Sequence, residues 1–320
     1  MKKLFNKRKL LKLTYSIPFL LVLTITTLVL PFSTIFHTQL TFVATSKTES
    51  SALVPHPPIV ITNDADFVTL GFPGTGAFGD EYMIINYEII TTTGEGISIS
   101  GTTKHFIIAG CYIDAKYNGI RVESIADETA VIYNNTIINC GVDVVSSNEV
   151  MIKDNTITNS SIGLWAYYSN RSIITENNIT LNNYGIYFNL SNINEISCNL
   201  IQNNTDYGLS LIRSDNNTIS NNTFVGNNVG SLGAQAYDTG ATHNYFINNY
   251  WSDWSGLADY SIDGSTGSSD PAPLPCPATC ARKPWTSTCI SFEITPGFYG
   301  VLVITSVLFL AIVWNKRRRK

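Results

Sequence analysis

Apolar and polar residues alternate in short bursts that recur along most of the chain. After Gly96, Gly119, Gly141, Gly163, Gly185, Gly208 and Gly230, the typical repeat puts apolar residues one and three places on and lets the residue between them vary. Examples are "GIRVES", "GVDVVSS", "GLWAYYS", "GIYFNLS" and "GLSLIRS". A period of two buries one face of a strand. Successive glycines lie 22 or 23 residues apart. Each repeat holds a second apolar burst (Val131 and Ile132, Val150 and Ile152, Ile173 and Ile174, Ile193 and Ile196) and a third such as "TII", "TIT" or "ITL". Three short strands per repeat, no helical period, and turns of Asn, Ser and Gly predict an all-β chain. The architecture is a right-handed parallel β-helix, a solenoid of about seven rungs of 22–23 residues over 96–250, because parallel crossovers are almost always right-handed.

The polar positions recur as strictly as the apolar ones. Asn135, Asn155, Asn178, Asn199, Asn222 and Asn244 fall at matching places and predict a side-chain amide ladder with a rise of about 4.8 Å per rung. A second column is expected at Asn139, Asn159, Asn182, Asn203, Asn227 and Asn248, and a third at Ser147-Asn148, Ser169-Asn170, Ser191-Asn192 and Ser214-Asp215. Open coil ends expose a pairing edge. Residues 47–95 therefore read as a linker and N-terminal cap, 251–274 as a C-terminal cap, and 275–293 as a Cys/Pro linker.

Charge changes the picture at the two ends. Of 20 Lys and Arg, six lie in residues 1–12 and five in the tail 316–320, which leaves nine against all 24 acidic residues between, a formal charge of −15. Such a surface repels phosphate backbones, so no nucleic-acid partner is expected. The basic segments adjoin uncharged apolar runs at 13–36 and 294–315, each long enough to cross a bilayer core of about 30 Å. These terminal transmembrane segments, a signal or anchor within 1–46 and an anchor at 294–315, would put residues 47–293 outside the cytoplasm, with 316–320 as a cytoplasmic tail.

An extracytoplasmic location bears on cysteine and asparagine. Cys111, Cys140 and Cys198 read as buried thiols within the repeats, while Cys276, Cys280 and Cys289 cluster in the linker. Asn-X-Ser/Thr occurs at Asn134, Asn159, Asn170, Asn189, Asn203, Asn216 and Asn221, the candidate glycosylation sites, and at Asn178, which the ladder is expected to keep bare.

With the repeated "NNTI…NN..G" rungs and the terminal "NNYWSDW" and "YSIDGSTGSSDPAPL", residues 56–274 resemble the right-handed β-helix proteins typified by the copper-site assembly protein NosD, within the wider group of carbohydrate-binding and sugar-hydrolase β-helices. Many archaeal surface proteins look like this. The resemblance implies the fold strongly and activity weakly. Other members carry an Asp/Gly-rich loop after "YW" that suits calcium; here it is reduced, and Asp259, Asp263 and Asp270 are weak candidates. Copper delivery needs imidazole or soft sulfur ligands, whereas His37, His56, His105 and His243 are widely spaced. No cofactor is therefore expected beyond weak calcium, and copper is disfavoured.

The outward positions of the first strand in each repeat carry the remaining chemistry. They read Ser98 and Ser100, Arg121 and Glu123, Asp143 and Val145, Trp165 and Tyr167, Tyr187 and Asn189, Ser210 and Ile212. Trp165, Tyr167 and Tyr187, with Arg121 and Asp143 beside them, form a candidate glycan-binding strip, since flat rings suit a pyranose face. The ordinary alternative is that aromatics simply favour strands and that Arg121 and Asp143 form an ion pair of small value. Asp143 and Glu123 are the weak acid/base candidates, with Arg121 as electrostatic partner. The expectation is a membrane-anchored surface β-helix that is structural or binds glycans or neighbouring surface proteins; a polysaccharide lyase or hydrolase and a copper-assembly protein are the alternatives.

Overall fold

The computed structural model describes residues 52–230, 233–240, 243–278 and 280, all within the second of two units, 1–49 and 50–320. The apolar runs 13–36 and 294–315 lie outside them; among the described residues no helix is long and apolar enough to cross a membrane.

The described chain is a parallel solenoid with three faces. The first sheet has eight strands, from Ile59–Ile61 through Asn118–Glu123, Gly141–Val145, Ile162–Tyr167 and Tyr184–Asn189 to Ala236–Thr239. The second also has eight, from Tyr82–Ile85 to Tyr245–Ile247, and the third nine, from Val54–Pro55 to Tyr250–Trp251. Each sheet pairs in parallel, rung on rung, as the period-two pattern requires. The core is a set of stacked apolar columns: Ile89, Ile113, Ile137, Ile157, Ile179 and Ile201 of the third sheet are all fully buried. Burying each such side chain is worth about 1.5–3 kcal/mol. The column ends in a plate of rings, Phe224 on Trp251 and Trp251 on Tyr260, each pair 4.2 Å between centroids.

Segment 52–95, expected as linker and cap leading into a first irregular rung around Ile84 to Ile90, supplies opening strands to all three sheets, and the short helix Asp64–Thr69 lays Phe67 on Tyr82 at 4.5 Å. The last repeat does not start at Gly230. Leu209 pairs with Ala236, so Gln235 stands where earlier rungs have glycine. Glycine recurs because a Cβ has no room. At Gly163 it would lie 2.7 Å from the Gly185 carbonyl and 2.8 Å from Ile179 Cγ2.

In the pairs 134–135, 203–204, 216–217, 221–222 and 248–249 the asparagines divide one job between two residues. The first takes a left-handed backbone at the corner (Asn134 φ 54°, Asn221 φ 55°), which asparagine tolerates better than most residues. The second turns inward as a rung of a ladder. The buried ladder runs Asn135, Asn155, Asn177, Asn199, Asn222, Asn249: each backbone N and Nδ2 donate to the Oδ1 of the next. Two expected members are thus corrected. Asn178 lies one place too far, on the strand Asn178–Thr180, and Asn244 belongs to another ladder, Asn194–Asn217–Asn244. The second expected column mixes two sets. Asn182 and Asn227 are inward, joined by Asn204, while Asn139, Asn159, Asn203 and Asn248 occupy left-handed corners. The serine column holds as read, with Ser147, Ser169 and Ser191 N–H donating to the next Oγ.

Cys198 is not a buried thiol. It sits at a corner with φ 58° and forms a disulfide with Cys280, Cα–Cα 5.5 Å, 82 residues apart. Leu274 N bonds Asn249 O and Ala278 N bonds Thr223 Oγ1, so the segment after the C-terminal cap runs back across the outside of the third sheet to that disulfide.

Candidate functional site

The first sheet brings the expected strip together. Register pairs Arg121 with Asp143, Asp143 with Trp165, Trp165 with Tyr187, Tyr187 with Ser210 and Ser210 with Tyr237. In the neighbouring column Glu123, Val145, Tyr167, Asn189 and Ile212 follow one another. Trp165 and Tyr167 stack at 5.8 Å. The strip is longer than the sequence reading allowed. Tyr184 stands edge-on to Tyr187 at 5.4 Å, and Tyr207 lies against Tyr237 at 5.1 Å. Both extra tyrosines precede a rung glycine ("NYG", "DYG"), a position the outward-face reading did not include.

Its acidic end differs from an open face. Asp143, Val145 and Ser210 are buried. The Arg121 guanidinium donates to Glu123 Oε2 at 3.0 Å and to Asp143 Oδ2 at 3.3 Å, with Glu95 Oε1 at 3.9 Å. Burial pushes the Asp143 carboxyl up to about 6; Arg121 opposes that shift and Glu95 adds to it. Both weak acid/base candidates therefore face a single guanidinium.

A missing piece of chain makes a notch beside Asp143. Six positions separate Ile113 from Gly119 and Ile157 from Gly163 at the corner between third and first sheets, but only four separate Ile137 from Gly141. The pairing register slips at Gly141/Val142 accordingly. The short corner, flanked by full-length ones, leaves a hollow of about 380 Å³ lined by Lys116, Tyr117, Asn118, Ser161, Asp143 and Trp165 among others. The Lys116 ammonium lies 5.2 Å from the Tyr117 ring centroid at its lip. The Trp165 Nε1 is buried and has no hydrogen-bond partner, a state that costs about 1–3 kcal/mol.

The family model for NosD, periplasmic copper-binding protein, matches residues 74–256, more than half of the chain. The chain belongs to the NosD family. No curated protein and no solved structure matches it.

Among the described residues, the donors of this NosD-family chain do not gather into a site for the metal in that description. Cys198 and Cys280 are spent in a disulfide. Cys111 and Cys140 are buried, and desolvation raises both thiols, Cys140 to about 11, so neither offers a thiolate. Among the described residues no three His, Cys, Asp or Glu converge as a metal site. The weak calcium candidates are committed elsewhere or apart. Asp270 is fully buried and accepts from Asn249 and Trp251, Asp263 accepts from Ala234 N, and Asp259 is exposed.

Proposed function

We propose that this NosD-family chain is an extracytoplasmic β-helix that binds glycans on the outer face of its first sheet, as a structural or adhesive surface protein. The observation that carries the reading is the aromatic column itself. Trp165 and Tyr187 pair directly, with Tyr184, Tyr207 and Tyr237 alongside, on a rigid sheet whose rise of about 4.8 Å per rung spaces rings along a saccharide chain. Nothing in the fold demands that ring series, since the same column uses Ser98 and Ser210 in other rungs. The Cys198–Cys280 disulfide supports an oxidising, extracytoplasmic compartment. The apolar runs 13–36 and 294–315 would attach the protein to the membrane, and the exposed Asn134, Asn159, Asn203 and Asn216 are the sequons best placed to carry glycans.

The test is binding of the full-length chain to an oligosaccharide array, beside a Trp165→Ala, Tyr187→Ala variant. Loss of binding in the variant is the expected result; retention would refute the strip. One observation favours a second reading, a polysaccharide-active enzyme: the Asp143 carboxyl, raised to about 6, would suit a general acid. Release of shortened products from bound polysaccharide, lost in Asp143→Asn, would establish it.

A further inference from the structure

The notch at the short corner deepens the glycan-binding reading and rests on it. A flat aromatic column grips any pyranose chain, so selectivity has to come from a feature that not every rung repeats. Among the described residues only one corner between the third and first sheets is two residues short, and it opens beside the ring at the head of the column, Trp165. The hollow differs in chemistry from the strip. Its floor is the Asp143 carboxyl, one wall is the Trp165 ring, and Asn118 and Ser161 bring polar groups to its rim.

The charge around it is lopsided. Asp143 faces Arg121 and Glu123 from the neighbouring strand and Glu95 from the loop before Ile97. Lys116 and the Tyr117 phenol stand at the lip, and the Trp165 strand adds no charge. Three carboxylates share one guanidinium, so the floor carries surplus negative charge even after Lys116 is counted. An acidic sugar would meet repulsion there in a poorly solvated place. A hydroxyl or ammonium donor would meet an acceptor.

We infer that the notch is the specificity subsite of the strip: it takes a terminal or branching sugar ring that bears no acidic group, stacked on Trp165 and donating a hydroxyl to Asp143. The rest of the glycan then runs along Tyr187 towards Tyr237. The corner length, not the aromatic column, sets which glycan binds.

The experiment uses the full-length chain on an array of neutral, amino-sugar and uronic-acid oligosaccharides at pH 5 and pH 7.5. Neutral or amino-sugar glycans should bind and uronic-acid ones should not. Affinity should be greater at pH 7.5, where Asp143 is ionised. Asp143→Asn should lose about tenfold in affinity, the effect of one charge-assisted hydrogen bond, and flatten the pH dependence. A second variant fills the notch by inserting Ser-Ser between Cys140 and Gly141, which restores the length of the neighbouring corner. With an unchanged melting temperature it should lose the preferred glycan while keeping weak binding to the strip.

Three outcomes would count against these readings, and they are distinguishable. If the native chain binds no glycan, the strip reading itself falls. If Trp165→Ala, Tyr187→Ala abolishes binding but Asp143→Asn and the insertion leave affinity and pH profile as in the native chain, the strip stands and the notch is not its subsite. Preferred binding of uronic-acid glycans would overturn the charge argument.

Discussion

Two adjacent asparagines give the sharpest test of how this chain holds its shape. Asn177 Oδ1 accepts from Asn155 N at 2.9 Å and Nδ2 at 3.0 Å, and its Nδ2 donates to Ile152 O, Thr175 O and Asn199 Oδ1 at 2.9–3.0 Å. Asn177→Ala would orphan the Asn155 N–H, weaken one Asn155 Nδ2 contact and take from Ile152 O its side-chain donor, leaving that carbonyl its place in the sheet, all in a buried corner. Asn199 Oδ1 would keep the Asn177 N–H. At about 1–3 kcal/mol for the orphaned N–H and about 1 kcal/mol for the side-chain bonds lost around it, the loss comes to about 2–4 kcal/mol. Asn178 is its opposite: its Oδ1 is buried with no partner, so Asn178→Ala should be neutral within about 1 kcal/mol or slightly stabilising. Urea titration followed by far-UV circular dichroism reads both. With a slope near 3 kcal/mol/M, Asn177→Ala should lower the midpoint by about 1 M. A single transition in each protein is the condition for comparing them. Equal shifts for the two variants, or a shift at Asn178 alone, would refute the ladder assignment.

Ile193 holds a left-handed φ of 60° while 58% exposed, a poor place for a β-branched residue; Ile193→Asn should stabilise by about 1 kcal/mol, and a lower urea midpoint would contradict this. Asp270→Asn removes the charge that receives Asn249 N, Asn249 Nδ2 and Trp251 Nε1, and should lower stability by about 1.5–3 kcal/mol; no change in melting temperature would count against it. Reducing Cys198–Cys280 should open residues 274–280 to limited proteolysis and cost about 2–4 kcal/mol; an unchanged digestion pattern would show that the non-covalent contacts of Leu274 and Ala278 suffice. Burial raises the Asp143 carboxyl from 3.8 to about 6. Its protonated form is therefore favoured on folding, and the stability it contributes is complete below about pH 3.8 and lost as pH rises through about 6. Asp143→Asn should abolish that fall, at most about 3 kcal/mol; a native-like pH–stability curve in the variant would refute the assignment.

Rung count and face were legible because burial enforces them at every repeat, and a one-residue slip would turn every core isoleucine outward. The register of the asparagine ladder was not legible from "NN" alone, since both residues are the same and only the backbone separates their roles. A signal existed in the rungs where the corner residue is not asparagine: "DN" at 154–155, "EN" at 176–177 and "CN" at 198–199 keep the second residue constant. The notch stayed hidden for a different reason. The corner at 124–129 is two residues longer, by register, than its counterparts in the rungs that follow, which offsets the shortened corner before Gly141 and leaves the glycine spacing at 22. Cys198 stood at a corner where the chain faces outward, but its partner lies 82 residues on and no local pattern relates them.

The direction of the ladders explains why the two ends of the solenoid are built differently. Each member of the inward amide ladders and of the serine column donates towards the C-terminal side, whereas the outer series Asn148–Asn170–Asn192–Asp215 runs the other way. The first inward member therefore needs only a backbone N–H below it: Cys111 N opens the long ladder on Asn135 Oδ1, and Ile125 N opens the serine column on Ser147 Oγ. At the other end each inward amide ladder arrives with donors in hand and has to finish on a group that accepts without donating. Asn249 meets Asp270, Asn244 meets Asp238, and Asn227 meets Gln235, whose Nε2 passes on to Asp253. A carboxylate is the side chain that closes such a series, because an amide there would carry the same demand one rung further. The acidic residues of the terminal "NNYWSDW" and "SSDPAPL" segments are thus terminators of buried hydrogen-bond chains. Their recurrence beside the last rung follows from ladder polarity, with no bound cation needed to account for it.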